Sequence, residues 1–585
     1  MSYRIRATLD PAIHVVRATM DVRWTNTSSR PATTLLWHLY LNAFRDQRSV
    51  FAREAPAGLR GRSFGAPGRI DVVQLRAGSI DLLPTARREL VPGDTTQLET
   101  PLPSAVAPGA TLELSVVFRA VLPEVSARTG WARDLHVVAQ WFPKLARLEP
   151  DGTWRSFAFH ANGEFYADFG SYDVEITAPE DQVVAATGVS AGRRRNAPGR
   201  VVHTFRADRV HDFAFVASPS LRPHRRRVGA VDVTALAYPG YERAADAALD
   251  AVAFGIPWLS RRFGPYPYPA LTVLMPPLGA EGAAGMEYPT LFASGGPWLT
   301  LRGVHVLHEH VALHELAHQW FQGMVATDES RWPMLDEGLT EWATARMLRE
   351  RHGARCSAAH ISSLCVSMDT VHRFAAVDAM PSLAAAHDYP PSAYGASVYF
   401  QPALVLETAR RVWGARLFDE ALRRYAMRGR FSHPTPETLF RAFEETHGAT
   451  FVDSFLRPAL ADGVGAGWAL GRTLTWPLTT ERKVWQSEVD VRRVGGLEVP
   501  TVVALRYADG RSERVRIDPR RTWTRLVRTS TSALMAAEVD PDRRIPMDAS
   551  FVDNARSTAE APSRTSTLGL RLVALGQALL SWVGP

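Results

Sequence analysis

The chain has 585 residues, 46% of them hydrophobic, with 67 Lys and Arg against 60 Asp and Glu and a formal net charge of +7. This is the composition of an ordinary globular protein long enough for three or four domains, with no low-complexity tract or fixed-period repeat. Two cysteines exclude a disulfide framework. Nearly all the positive charge is arginine, since Lys144 and Lys483 are the only lysines. The clusters Arg193-Arg194-Arg195 and Arg225-Arg226-Arg227 stand beside Gly, Pro and His and read as solvated turns. No base-stacking motif or phosphate-binding Gly-rich loop accompanies them, so no nucleic-acid partner is expected.

In chain order, residues 1–222 read as strands. Tyr3–Leu9, Val15–Trp24, Leu112–Phe118 and Tyr172–Thr177 alternate apolar and polar positions between Pro, Gly and Asn turns. A large, mostly antiparallel β domain is expected. The N-terminus enters a strand pattern at once and shows no apolar leader, which points to a cytoplasmic protein; an exported or membrane-associated one is the alternative if a native leader has been removed. Residues 223–470 turn mixed and then helical. Phe263-Gly264-Pro265-Tyr266-Pro267-Tyr268 precedes a strand at Leu271–Met275, and helices are expected over Ala403–Val412 and Leu417–Met427.

Inside this region lies His314-Glu315-Leu316-Ala317-His318, a H-E-x-x-H pattern. The run from Val304 to Val325 has no proline, and Leu307, Val311, Leu313, Leu316, Ala317 and Trp320 make a broad apolar stripe, so a helix is expected. Positions i and i+4 share a helix face, so His314 and His318 can point both imidazoles at one divalent metal ion. Glu315 stands beside them, where a carboxylate can take a proton from water. Pro333 suits the first turn of a second helix, to about His352. Glu337, 19 residues after His318, falls in its first turns and completes a set of three ligands with an open fourth position. Glu341, one turn on, is either a carboxylate for the free ring N–H of a ligand histidine or a solvated helix charge. His310 spans ~12 Å to His318 along the axis, too far for one ion to hold all three histidines. His305, His308 and His310 are read as packing or helix-surface residues. Cys356 and Cys365, nine apart in a stretch read as helical, would be ~13 Å apart and are expected to be free thiols.

Strand signals return over 471–556, at Val484–Val491, Thr501–Tyr507, Glu513–Ile517 and Arg521–Val527, and suggest a small β-sandwich. Residues 557–585 read as a polar linker and an apolar segment, Leu568–Val583, that is too short for an integral membrane span.

Taken together, these residues resemble the gluzincin zinc aminopeptidases related to alanyl aminopeptidase and leukotriene hydrolase. The H-E-x-x-H helix with a glutamate 19 residues on is their signature, shared with thermolysin-like endopeptidases. Ala284-Gly285-Met286-Glu287-Tyr288-Pro289 resembles their Gly-x-Met-Glu-Asn motif, with Ala284 for Gly and Tyr288 for Asn. Tyr399-Phe400-Gln401-Pro402-Ala403-Leu404-Val405-Leu406 resembles their Tyr-x-Lys-Gly-Ala-x-Val-Leu stretch, with Gln401-Pro402 for Lys-Gly.

The resemblance implies a multidomain α+β protein. It would have an N-terminal β domain (1–222), a thermolysin-like catalytic domain with a helical lower half (223–470) and a C-terminal β-sandwich (471–556). It implies one Zn2+ per chain on His314, His318 and Glu337, with Glu315 as general base. Glu287, with Met286 and Gly285, would hold the free ammonium end of a peptide substrate. Tyr399, with Tyr394 as its rival, would donate to the reacting carbonyl oxygen. Asp336 would either support a ligand from behind or contact the substrate. Gln140 and Glu164, beside the family-like segments Trp141-Phe142-Pro143 and Gly163-Glu164-Phe165-Tyr166, are read as structural. The activity implied is removal of the first residue from peptides; a thermolysin-like endopeptidase or a non-catalytic scaffold are the alternatives. Side-chain preference and oligomeric state stay open.

Overall fold

The computed structural model describes residues 1–55, 65–125, 127–296, 303–478, 481 and 483–558. Its contacts divide the chain into two compact units, Met1–Ala403 with Asp419–Ala442, and Leu404–Phe418 with Phe443–Pro585.

The first unit begins with an eight-stranded sheet. Its central strands, Ser2–Asp10, Val15–Thr25 and Thr111–Val121, pair antiparallel. Ser2–Asp10 pairs on its other side, in parallel, with Gly170–Pro179. Period-two sequence alternation becomes burial alternation: Tyr3, Ile5, Ala7 and Leu9 are buried while Arg4 and Arg6 are exposed. These side chains join Trp24, Phe118, Trp141, Phe142 and Tyr172 in one apolar core. The strands expected in this region are all present. Arg193–Arg195 and Arg225–Arg227 lie within the strands Val189–Ala197 and Arg222–Val228, not in turns. They are mainly solvent-facing, which is why their charge tolerates strand geometry.

A second, four-stranded sheet follows, made of Arg222–Val228, Val231–Ala237, Ala270–Leu274 and Leu291–Ala293, the last three running parallel. Helix Glu242–Phe263 packs against it and against helix His308–Ala317. The second ligand-bearing helix runs Met334–His352.

The helix expected over Val304–Val325 is confined to His308–Ala317. Its leading residues are drawn into strand-like pairing instead: Val304 bridges Ala359, and the Val306 N–H donates to the Ala358 carbonyl. At the other end the helix stops at Ala317 and the chain passes into turns, Gln322 among them with a left-handed φ of 95°. The cysteine expectation is also corrected. The stretch read as helical is a hairpin, Ala359–Ile361 with Leu364–Val366, which brings Cys356 and Cys365 to a Cα separation of 4.4 Å and a disulfide. A rise-per-residue estimate fails once the chain turns back on itself. Helices cover Gln401–Trp413 and Ala415–Gly429, as expected.

The second unit carries two antiparallel sheets, Trp468–Pro477, Trp485–Arg493 and Trp523–Ser530 in one, and Ser512–Ile517, Thr501–Tyr507, Leu534–Val539 and Ala555–Ser557 in the other. Trp468, Val491, Val503, Leu505 and Val539 are buried in them, giving the expected sandwich. No described helix is long and apolar enough to cross a membrane. The apolar segment Leu568–Val583 lies outside the described residues.

One buried group sets an acid limit on this fold. His38 is fully buried, stacks on Tyr40, and neither ring nitrogen has a hydrogen-bond partner among the described residues. Burial, aided by the charge of Lys144, lowers its pKa from 6.5 to about 3. The folded state therefore refuses a proton that the unfolded chain accepts below pH 6.5, so stability present above that pH is lost as pH falls toward 3. His38→Phe should flatten the decline of melting temperature over that window. Its own contribution is at most ~1.4 kcal/mol per pH unit, read by thermal melts at stepped pH.

Candidate active site

Helix His308–Ala317 is a site-bearing element because it is buried on nearly every side. Ala312, Leu313, Leu316 and Ala317 are inaccessible to solvent, and this packing fixes the helix's rotation. His314 and His318 then emerge one turn apart toward helix Met334–His352. His314 Nε2 lies 3.0 Å from His318 Nε2 and 3.1 Å from Glu337 Oε2, and His318 Nε2 lies 3.2 Å from the same oxygen. The three residues expected as ligands therefore converge on one point.

The opposite face of each ring decides what those converging atoms are. His314 Nδ1 faces Glu341 Oε2 at 3.2 Å, and His318 Nδ1 faces Asp336 Oδ1 at 2.6 Å. Carboxylates only accept, so each ring places its proton on Nδ1. Both Nε2 atoms are left as lone pairs, facing each other and a carboxylate oxygen. Three facing acceptors require a cation between them. Burial disfavours a charged His314, but its bonds to Glu337 and Glu341 outweigh this and push its pKa up to about 10. A metal ion competes for the same lone pairs that hold this proton. His314 and His318 through Nε2, and Glu337 through Oε2, would hold such an ion, two imidazoles and a carboxylate being ligand types that zinc takes. The donor set fits zinc.

Glu341 does more than the sequence suggested. It is buried and also meets His310 Nε2 at 2.9 Å and His372 Nε2 at 2.6 Å. Although burial opposes charge, these three imidazoles hold its carboxyl well below the usual carboxylate range. His310, expected to be a packing or surface residue, thus belongs to the network behind His314; His308 is buried, as expected of a packing residue. His372 comes from helix Met368–Ala375 and carries no local signal that could have marked it.

Glu315 is buried on the same helix, and its Oε2 has no hydrogen-bond partner among the described residues. Burial raises its pKa. Tyr399 sits in a π-helical turn, Ala396–Phe400, of a kind frequent at functional sites. Its hydroxyl donates to Glu337 Oε1 at 2.5 Å, and its ring stacks at 5.9 Å from that of His314. Gly338 makes this approach possible. A Cβ there would lie 2.7 Å from Pro402 Cβ and 3.0 Å from the Val398 carbonyl oxygen. Tyr394 packs edge-on against Tyr399, their ring centroids 6.1 Å apart.

Glu287, Met286 and Gly285 lie in the loop before strand Leu291–Ala293. Gly285 and Met286 fold back onto it, the Gly285 N–H donating to the Ala293 carbonyl at 2.8 Å. Glu287 is buried, and one of its carboxylate oxygens lies within 4.8 Å of ligand atoms of His318 and Asp336. Burial pushes its pKa well above the ordinary value. Sequence reasoning missed Arg128. Its backbone takes a left-handed φ of 65°, and its guanidinium donates to the Gly285 carbonyl at 2.7 Å and pairs with Glu164. Tyr288 returns a bond from its hydroxyl to the Arg128 carbonyl at 2.9 Å. Glu164 is therefore tied to the Glu287 loop. Gln140 is elsewhere engaged, with Asp212 and Lys144.

A buried set of three facing acceptors with a carboxylate beside it resembles the sites of gluzincin zinc metallopeptidases. Residues 248–458 match the model of the peptidase family M1 domain. No curated protein matches the sequence. Among solved structures, aminopeptidase A of Legionella pneumophila, crystallised with aspartic acid, superposes with a TM-score of 0.65 at 15% identity. The match covers 94% of this chain and 59% of that one, so the chain spans less than two thirds of that relative. The M1 zinc metallopeptidase of Deinococcus radiodurans superposes with a TM-score of 0.54 at 18% identity, over 79% of this chain and 93% of that one. A mutant of the Deinococcus enzyme bound to a Tyr-Ser-Ala substrate gives 0.53 at 19% identity, with the same coverage. These similarities establish a shared multidomain fold.

Glu341→Ala should weaken zinc binding roughly 10- to 100-fold by freeing the His314 ring. Competition with a chromogenic chelator measures it, and unchanged affinity would contradict the role given to Glu341.

Proposed function

We propose that the protein is a zinc-dependent aminopeptidase that hydrolyses the first peptide bond of peptides with a free N-terminus. One observation carries this: the facing lone pairs of His314, His318 and Glu337 stand beside the buried carboxylate of Glu287. The first set suits one Zn2+, and the second suits the ammonium group that marks a chain end.

When bound, zinc polarises a carbonyl and makes water a stronger acid. Glu315 takes a proton from the attacking water through its unpartnered oxygen and returns it to the departing amine. Burial raises its proton affinity and suits it to both tasks. The Tyr399 hydroxyl turns from Glu337 to the carbonyl oxygen as that atom gains charge. Glu287 accepts hydrogen bonds from the substrate ammonium, which offsets the cost of keeping a carboxylate buried. Glu164, anchored by Arg128, adds negative charge on the same side. Gly285 and Met286 offer backbone along which the substrate lies extended.

Three measurements test this. Glu315→Ala should lower kcat roughly 100- to 10,000-fold with zinc retained. Tyr399→Phe should lower kcat roughly 100- to 1,000-fold with little change in KM. Peptides with acetylated N-termini should resist cleavage; equal cleavage of free and acetylated peptides would leave an endopeptidase and remove the aminopeptidase.

A further inference from the structure

Arg128 performs none of the chemical steps above, yet it meets the loop that carries Glu287 at three places. Its backbone N–H donates to the Gly282 carbonyl at 2.8 Å, its guanidinium Nη1 donates to the Gly285 carbonyl at 2.7 Å, and its own carbonyl accepts from the Tyr288 hydroxyl at 2.9 Å. These contacts fall on both sides of Glu287. The Gly285 N–H is already committed to the Ala293 carbonyl, so Arg128 takes the polar backbone group that this pairing leaves over. Arg128 and Gly285 both hold a left-handed φ, 65° and 66°. In a residue with a Cβ that conformation persists only where the surrounding contacts impose it. Tyr288, which stands where the resembling motif has Asn, supplies one of them.

A separate set of bonds ties the end of the loop to Gln319, the residue after His318. The Thr290 N–H donates to Gln319 Oε1 at 2.8 Å, and Gln319 Nε2 donates to the Tyr288 carbonyl at 3.3 Å. Arg128 takes no part in these bonds. Its second guanidinium arm, Nη2, instead pairs with Glu164, and both side chains are buried. Glu164 and Glu287 line one small cavity. A planar fork can grip a carbonyl and a carboxylate at once; an ammonium on a flexible stem cannot hold both in fixed directions.

We propose that Arg128 is a positioning residue for recognition of the chain end: one arm of its guanidinium fixes the Gly285 carbonyl beside Glu287 and the other fixes Glu164, so that both carboxylates meet the substrate ammonium from set directions. The guanidinium offsets the charge of Glu164 and leaves that of Glu287 to the substrate. Arg128 in this role presupposes the aminopeptidase reading and makes its demand for a free N-terminus strict.

Leucine amide and 4-methylpentanamide differ only in the amine, so the ratio of their inhibition constants measures ammonium recognition. With zinc-loaded protein this preference should fall roughly tenfold in Arg128→Met, with zinc content unchanged. Arg128→Lys keeps a cation but not the fork and should recover only part of the preference. A role in packing alone would weaken both ligands alike and leave their ratio unchanged, which would overturn the proposal; so would full preference in Arg128→Lys. If Arg128→Met does not fold, Tyr288→Phe removes only the hydroxyl bonded to the Arg128 carbonyl and should narrow the preference roughly threefold. An unchanged ratio in that variant would count against Arg128 equally. Wild type that shows no preference for the amine would overturn the aminopeptidase reading itself, a result seen before any variant is made.

Discussion

The site depends on one arrangement: two buried imidazoles whose Nδ1 protons are each claimed by a carboxylate on the facing helix. Glu341 takes that of His314 and Asp336 that of His318. Their separation of five residues along helix Met334–His352 puts them on opposite sides of Glu337, which supplies the third ligand atom. One helix thus both completes the metal site and orients the histidines of the other. If either carboxylate turned away, a ring could flip its tautomer and present an N–H where a lone pair is needed.

Electrostatics gives this arrangement its cost and its purpose. Glu287, Glu315, Glu329, Asp336, Glu337 and Glu341 are all buried in one neighbourhood. Histidines balance Glu337 and Glu341, whose carboxyls are held acidic, while burial raises the others. Such a concentration of acid is destabilising unless cations enter or protons stay. On the proposed function, a divalent ion at His314, His318 and Glu337 and an ammonium at Glu287 are the guests that would offset this charge.

Helical spacing is a local rule, so counting residues was enough to expect His314, His318 and Glu337 together, and their side chains do converge. What sequence could not show came from distant segments. Arg128 reaches Gly285 across 157 positions, and His372 reaches Glu341 from a helix read only as part of a helical stretch. Their types are common and their neighbours unremarkable, so only folding reveals them. Two of the local errors share a cause. Both the overlong helix before His308 and the free cysteines assumed that a helical pattern would persist. In the fold, backbone pairing between Val304 and Ala359 wins over helix propagation on both strands.

The strand Ser2–Asp10 has a consequence for how the molecule assembles. It lies in the interior of the eight-stranded sheet and pairs in parallel with Gly170–Pro179, Ser2 standing opposite Ser171. During synthesis Ser2–Asp10 must therefore wait, half covered, until Gly170–Pro179 has been made. Parallel closure over so long a loop is slow, and the exposed edge is vulnerable to other chains meanwhile. The register of a single strand thus delays closure of the sheet until its parallel partner has been made.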